Sequence, residues 1–491
     1  MRWTCGKYAA VTAALALVAW GAMMAFGQAA EADAGAFVDD TVYYDYVDET
    51  GQLAGGRLLL RVPRPDPGRI LPAAVETLWL ADGPAANRID LVAVGDGYLA
   101  GELGTYAQHV NASLSTMFAQ EPFKTYANYF NLHRVDVISK ESGVDHDPTY
   151  PIYRDTAMDM EFWCGGTERL LCVNVSKAYS YAYNAPDVNM VLAVANSTKY
   201  GGAGYSGSNL ATVSGGNGSA AEIALHEFGH SLGKLADEYW YTGETYSGPE
   251  PSPRNISILT AAQMQQTGTK WAPWLGENNA AYDGLVSTYE GAYYCQYGIY
   301  RPTNNSKMRS LGRPFSLPGV EGLVIEIYKI VRPIDDATPP GTLHGTEIGY
   351  VKPVEPIGHA LDVQWLLNGQ PITGATQTTL DLKTLHLAPG QYTLGVRVVD
   401  NTWFVRDVTA RNTWLTQTRE WPLHITALLG DLNCDGVVDF GDINPFVLAV
   451  ANPAGYQQAF PNCNIFSGDV NQDGRVDFGD INPFVTLLAG P

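Results

Sequence analysis

The stretch SAAEIALHEFGHSLGKLADEY, Ser219 to Tyr239, sets two histidines, three glutamates and an aspartate into a largely apolar helical pattern. Burying such groups is costly unless something offsets their charge. Ser219 followed three residues later by Glu222 predicts a capping box and a helix start. From there Ile223, His226, Glu227 and His230 share one face, and Leu225, Phe228, Gly229 and Leu232 the other. One face is therefore expected to pack and the other to meet something polar. Imidazoles at i and i+4 can both aim a ring nitrogen at one Zn2+ about 2.0 to 2.1 Å away. Glu227 then stands beside the ion, placed to take a proton from the attacking water. The plainer alternative is a pair of hydrogen-bonded core histidines with a paired or solvated glutamate. With only 9 His in 491 residues, that alternative leaves their spacing around a glutamate to chance.

A chain of this length is expected to hold several domains. Its formal net charge of -21 repels nucleic acid and anionic lipid, and favours cations or neutral polymers as partners. The opening places Arg2 and Lys7 before an apolar run from Ala9 to Phe26 and small residues at Gly27 to Ala30. This predicts a secretory signal peptide over 1–30, with an uncleaved anchor as the alternative. No later segment is apolar enough to span a bilayer, so the expected location is secreted or extracellular, with attachment to a cell surface possible. Export permits disulfides. Cys164 with Cys172 and Cys434 with Cys463 are the candidate pairs, which leaves Cys295 over, and free buried thiols are the alternative.

Alternating strands around a Gly-rich turn predict a small β module over 35–84. Strands at Ile89 to Tyr98, at NLHRVDVIS and at Asn189 to Asn196, with a helix over Gly104 to Gln120, predict an α/β layer domain over 85–335. The Asn189 to Asn196 strand is the candidate edge along the cleft, where a substrate backbone would pair. After the Pro-rich Arg332 to Thr342 linker, alternating residues and turns predict a β-sandwich over 336–427, read as a spacer or weak polymer binder.

The tail repeats itself: DFGDINPFV occurs at Asp439 to Val447 and again at Asp477 to Val485. Each copy ends a loop patterned for calcium. Asp431, Asn433, Asp435, Asp439 and Asp442 supply the first set of oxygens, and Asp469, Asn471, Asp473, Asp477 and Asp480 the second. Gly436 and Gly474 fall at the sharp turn. Two structural Ca2+ ions are therefore expected over 428–491.

This tail resembles a type I dockerin, which implies an α-helical paired calcium-loop domain and a cohesin-like or cell-surface docking partner. Phe440, Gly441, Phe478 and Gly479 stand where dockerins generally carry hydroxyl residues, which argues against a standard cellulosomal cohesin. The sandwich is similar to immunoglobulin-like or PKD-type modules. IDLVAVGDGY, EPF, SGVDHD, PDVNMVLAVAN, YGG, HEFGHSLGKLADEY, EGAYY and GIYRP, in order from Ile89 to Pro302, resemble the immunoglobulin-A peptidase family of zinc metallopeptidases. The resemblance implies a metzincin-like endopeptidase with one catalytic Zn2+, acting on extracellular protein or peptide. Immunoglobulin itself, as the substrate of certain host-associated members, is not carried over. His226 and His230 are then the first two ligands and Glu227 the general base.

The third ligand implied by the family's G-x-L-x-D-E-Y is Asp237, with Glu238 as the alternative, because Ala236, where metzincins generally place theirs, cannot bind metal. Gly233 is expected to break the helix and swing the chain back. Met308, in SKMRS, is the Met-turn candidate, with an ordinary core methionine as the alternative. Tyr239, Tyr294, Tyr300 and Arg301 are candidates for an oxyanion or specificity contact. The rival function is a non-catalytic surface-binding or scaffold-attached protein retaining a peptidase-like domain, and H-E-x-x-H alone also allows hydrolysis of a non-peptide bond. After the leader, no cysteine precedes Asn87 to block a metal, and whether that segment is a removable inhibitor stays open.

Overall fold

A computed structural model describes residues 36–48, 52–385, 387, 390–426 and 428–489. The predicted leader lies outside the described residues. Among them no helix is long and apolar enough to cross a membrane. The chain forms two compact units, one of residues up to Val331 with 355–360 and 402–414, the other of the remaining segments from Arg332 onward.

The first unit is built on one eight-stranded sheet. Its strands are β1 (Phe37–Val47), β2 (Leu53–Pro63), β3 (Ala74–Trp79), β4 (Ile89–Asp96), β5 (Phe130–Asp136), β6 (Met190–Ala195), β7 (Gly202–Tyr205) and β8 (Leu210–Ser214), in the order β2-β1-β7-β8-β6-β4-β5-β3. β8, β6, β4 and β5 run parallel at the centre. β4 and β6 are buried at every residue, as expected of near-continuous apolar runs covered on both faces. β7, β1 and β2 continue one side antiparallel, and β3 closes the other. The segment read as a small N-terminal module thus supplies strands to both ends of the main sheet. The strand expected at the cleft edge, β6, lies between β4 and β8. An apolar strand of that kind gains most from full burial, so its position is central.

Helices α1 (Leu103–Phe118), α2 (Val175–Ala182) and α3 (Ala220–Ser231) pack on this sheet. Beyond them come β9 (Trp240–Thr245), α4 (Ala261–Thr267), the short pair β10 (Asn278–Asn279) and β11 (Gly284–Leu285), β12 (Tyr289–Ala292), β13 (Tyr294–Arg301) and α5 (Leu317–Ile330). β12, β13 and β9 form a small sheet beside the end of α3.

The second unit holds β14 (Ile334–Ala337), β15 (Ile348–Pro353), β16 (Asp362–Leu367), β17 (Gln370–Pro371), β18 (Thr379–Asp381) and β19 (Gly390–Val399). The chain returns to the first unit for α6 (Val408–Trp414), then completes the second with β20 (Thr416–Ile425). Two antiparallel sheets result, β14-β15-β18 and β17-β16-β19-β20. Trp365, Val396, Val398, Trp421 and Leu423 are buried in them. In the tail of the same unit are α7 (Ile443–Ala451), α8 (Pro453–Ala459) and α9 (Ile481–Ala489). Phe446 and Phe484, at matching places in the repeat, stack with centroids 4.0 Å apart and planes 8° from parallel. Cys164 is bonded to Cys172 and Cys434 to Cys463. Cys295, left over in the sequence pairing, is buried.

Candidate metal centre

α3 carries His226, Glu227 and His230, but the capping box expected at its start does not form. Ser219 makes no side-chain cap bond. Instead Asn217 turns the chain in, its Oδ1 accepting from Ser219 N at 2.9 Å. The Glu222 carboxylate leaves the helix end to pair with Lys307 and accepts from Gly312 N at 2.9 Å and Gln120 Nε2 at 3.1 Å. A buried lysine without a counter-charge would cost more than an uncapped amide. Every residue of α3 from Ile223 to Ser231 is buried, so its polar face meets carboxylates of the protein and not solvent.

After Ser231 the chain reverses so that Asp237 returns to the histidines. The left-handed residue there is Lys234, with φ of 51°, held by its ammonium on Asn209 Oδ1 at 2.7 Å. Gly233, expected to make the break, serves close packing: a Cβ there would lie 2.8 Å from the Gly229 carbonyl and from Leu323.

The Nε2 atoms of His226 and His230 are 3.1 Å apart. Asp237 Oδ1 lies 3.2 Å from the first and 3.3 Å from the second. Each Nδ1 faces a backbone carbonyl, Lys307 O at 3.0 Å for His226 and Leu235 O at 2.8 Å for His230. A carbonyl only accepts, so each Nδ1 carries a proton, and each ring, when neutral, turns an Nε2 lone pair inward. Two nitrogen lone pairs and a carboxylate oxygen thus converge on one point, a repulsive arrangement unless a cation is shared among them. Four ligands placed tetrahedrally about 2.05 Å from zinc stand about 3.3 Å from one another, and the three observed edges match that spacing. The donor set therefore fits Zn2+.

Surrounding groups fix this triangle. Tyr294 donates its hydroxyl to Asp237 Oδ2 at 2.5 Å, and the Tyr43 ring stacks on His230 with centroids 4.2 Å apart. Glu227 is fully buried with no hydrogen-bond partner on either carboxylate oxygen. Burial, then Asp45 and Asp237, push its carboxyl well above the ordinary value. β7 leaves room for it: a Cβ on Gly204 would lie 2.9 Å from Glu227 Oε2 and 2.8 Å from His230 Cβ.

Glu238 points elsewhere. It accepts from Asn255 Nδ2 at 3.0 Å and from Ser306 Oγ at 2.7 Å, and burial pushes its carboxyl up to about 7. Met308 lies under α3, its Sδ 2.5 Å from where a Gly229 Cβ would sit. The Met308 carbonyl accepts from Glu238 N at 2.8 Å. The segment Ser306 to Met308 thus forms a floor that also presents the Lys307 carbonyl to His226. Of the four polar candidates, Tyr294 alone reaches the centre. Tyr239 donates to Tyr44 O at 3.4 Å, Arg301 is committed to the carbonyls of Glu290, Gly291 and Asn304, and Tyr300 pairs its backbone with Ser257.

Asp45 was missed from the sequence. It lies on β1, fully buried, with Oδ2 3.6 Å from His226 Nε2. No spacing rule links a strand residue to a helix this far along the chain. The only sequence signal is its charge inside the apolar stretch VYYDYV.

In the second unit the two repeat loops are built alike. Asp431 Oδ2 accepts from Gly436 N at 3.1 Å and Asp469 Oδ2 from Gly474 N at 2.9 Å, with φ of 87° at both glycines. Asn433 and Asn471 accept from the amides of Asp435 and Asp473, both at 2.9 Å. Asp442 and Asp480 fold back on the amides of Asn433 and Asn471 at 2.9 and 3.0 Å. Asp439 and Asp477 cap the turns that follow. Asp431 Oδ1 is buried without a hydrogen-bond partner.

No curated protein matches the chain. Residues 79–283, which hold α3 and Asp237, match the model of the family described as IgA Peptidase M64, so this stretch is similar to that family and the match supports a peptidase.

Proposed function

We propose that the protein is a secreted zinc-dependent endopeptidase that hydrolyses peptide bonds in extracellular protein. The observation that carries this reading is the convergence of three lone pairs from His226, His230 and Asp237 beside an unpaired buried Glu227. His226, His230 and Asp237 would hold the ion, which when bound supplies a Lewis acid and a water of lowered pKa. Glu227, buried, unpaired and one residue from a ligand, would take the proton of the attacking water and return it to the leaving amine. Tyr294 and the Lys307 and Leu235 carbonyls keep the ligands oriented. Met308 fills the floor of the site, as a Met-turn does. The complete proton-transfer set disfavours a retired, non-catalytic scaffold. In the tail we read each loop as a structural Ca2+ site, and the module as dockerin-like, attaching the enzyme to a cohesin-like or cell-surface partner. The sandwich serves as a spacer.

The test combines metal analysis with a fluorogenic peptide library, using the wild type and Glu227→Gln, intact and after limited proteolysis. One zinc per chain in both proteins, with cleavage confined to the wild type, is expected. Protein without zinc refutes the reading, as does zinc-loaded protein whose cleavage Glu227→Gln leaves untouched. Zinc without cleavage in any form favours the non-catalytic alternative.

A further inference from the structure

The β1–β2 hairpin lies where a substrate would be expected. β7 is the strand beside the metal centre, its Gly204 against Glu227 and His230. β1 pairs with it antiparallel, Val42 opposite Tyr205 and Tyr43 opposite Gly204. The backbone edge that an extended peptide would add to is therefore taken by the chain itself. Successive side chains of a strand point to opposite faces, so Tyr43 and Asp45 share one, and that face meets the centre. Tyr43 stacks on His230. Asp45 Oδ1 accepts from the Tyr200 hydroxyl at 3.2 Å, whereas Oδ2 is buried with no hydrogen-bond partner, 3.6 Å from His226 Nε2.

An unpartnered buried carboxylate oxygen 3.6 Å from one of the converging ligand nitrogens is itself placed to reach the same ion. We propose that Asp45 is a fourth metal-binding residue, its Oδ2 completing the shell of His226, His230 and Asp237 while its hairpin covers the β7 edge. The inference rests on the zinc reading above. Further contacts hold the hairpin down. Tyr241 accepts from Gly55 N at 2.7 Å and donates to Gly55 O, and the Arg57 guanidinium lies 3.6 Å over the Tyr293 ring. The hairpin precedes the stretch that matches the peptidase family, which begins at residue 79, and an exposed run, Asp66 to Ile70, leads out of it.

Cobalt(II) serves as the probe, loaded into the full wild-type chain, Asp45→Ala and Asp45→Asn. The near-isosteric asparagine keeps the test open should the alanine variant fold poorly. With Asp45 as ligand, the wild-type visible bands stay unmoved by azide while those of Asp45→Ala shift. Cobalt affinity, by chelator competition, falls at least about tenfold in both variants. Azide moving wild type and variants alike, or affinities within about twofold of wild type, overturns the assignment of Asp45 and leaves the zinc reading standing. Cobalt bound by none of the three proteins removes the metal centre, and the fourth ligand with it.

Discussion

Tyr294→Phe removes one atom and keeps the ring. That atom donates to Asp237 Oδ2 at 2.5 Å, while Asp237 Oδ1 faces both histidines. A hydrogen bond to a charged group contributes about 1.5 to 3 kcal/mol. At about 1.4 kcal/mol per decade, losing it is worth about ten- to hundredfold in metal affinity if the bond holds the carboxylate in its ligand position. The ring should stay in place, because Tyr239 and Tyr241 pack against it with centroids 5.5 and 6.4 Å away. Zinc affinity by chelator competition is the assay, with circular dichroism to show that the fold persists. Zinc bound by the phenylalanine variant as tightly as by wild type would mean that Asp237 is not oriented through Tyr294, and would refute the argument that surrounding residues set this triangle.

Three further outcomes follow from the same geometry. Asp237→Asn should lose zinc affinity by about a hundredfold or more, while Glu238→Gln, whose partners are Asn255 and Ser306, should keep it within about twofold; the reverse order would reassign the third ligand. Gly204→Ala sets a Cβ 2.9 Å from Glu227 Oε2 and 2.8 Å from His230 Cβ, so it should cost about 1 to 3 kcal/mol in urea unfolding, and an unchanged midpoint would mean that β7 yields easily. Chelating calcium should lower the melting temperature of the second unit, because emptied loops leave Asp431 Oδ1 buried without a partner; a calorimetric trace indifferent to calcium would count against the loops as ion sites.

What could be read from the sequence was the chemistry that local periodicity expresses. His226, Glu227 and His230 belong together because a helix repeats every 3.6 residues, and the twin tail loops because their pattern recurs. Where distant groups compete, local signals failed. Glu222 follows Ser219 at capping-box spacing, yet the Lys307 ammonium takes it. Gly233 marks a helix end, but the strained conformation falls on Lys234, which its ammonium contacts hold in place. β6 has the composition of a cleft strand and of a core strand alike, and topology made it the latter. Asp237 was reachable only through a family resemblance, and Asp45 not at all, because strand pairing with β7 is what carries it to the histidines.

The central claim is that one zinc ion is bound by His226, His230 and Asp237. Anomalous diffraction at the zinc edge from crystals of the full chain measures this most directly. The account predicts a single strong peak about 2.0 to 2.2 Å from both Nε2 atoms and from an Asp237 oxygen. Zinc-soaked crystals without a peak there, or with the peak on Glu238, would contradict it.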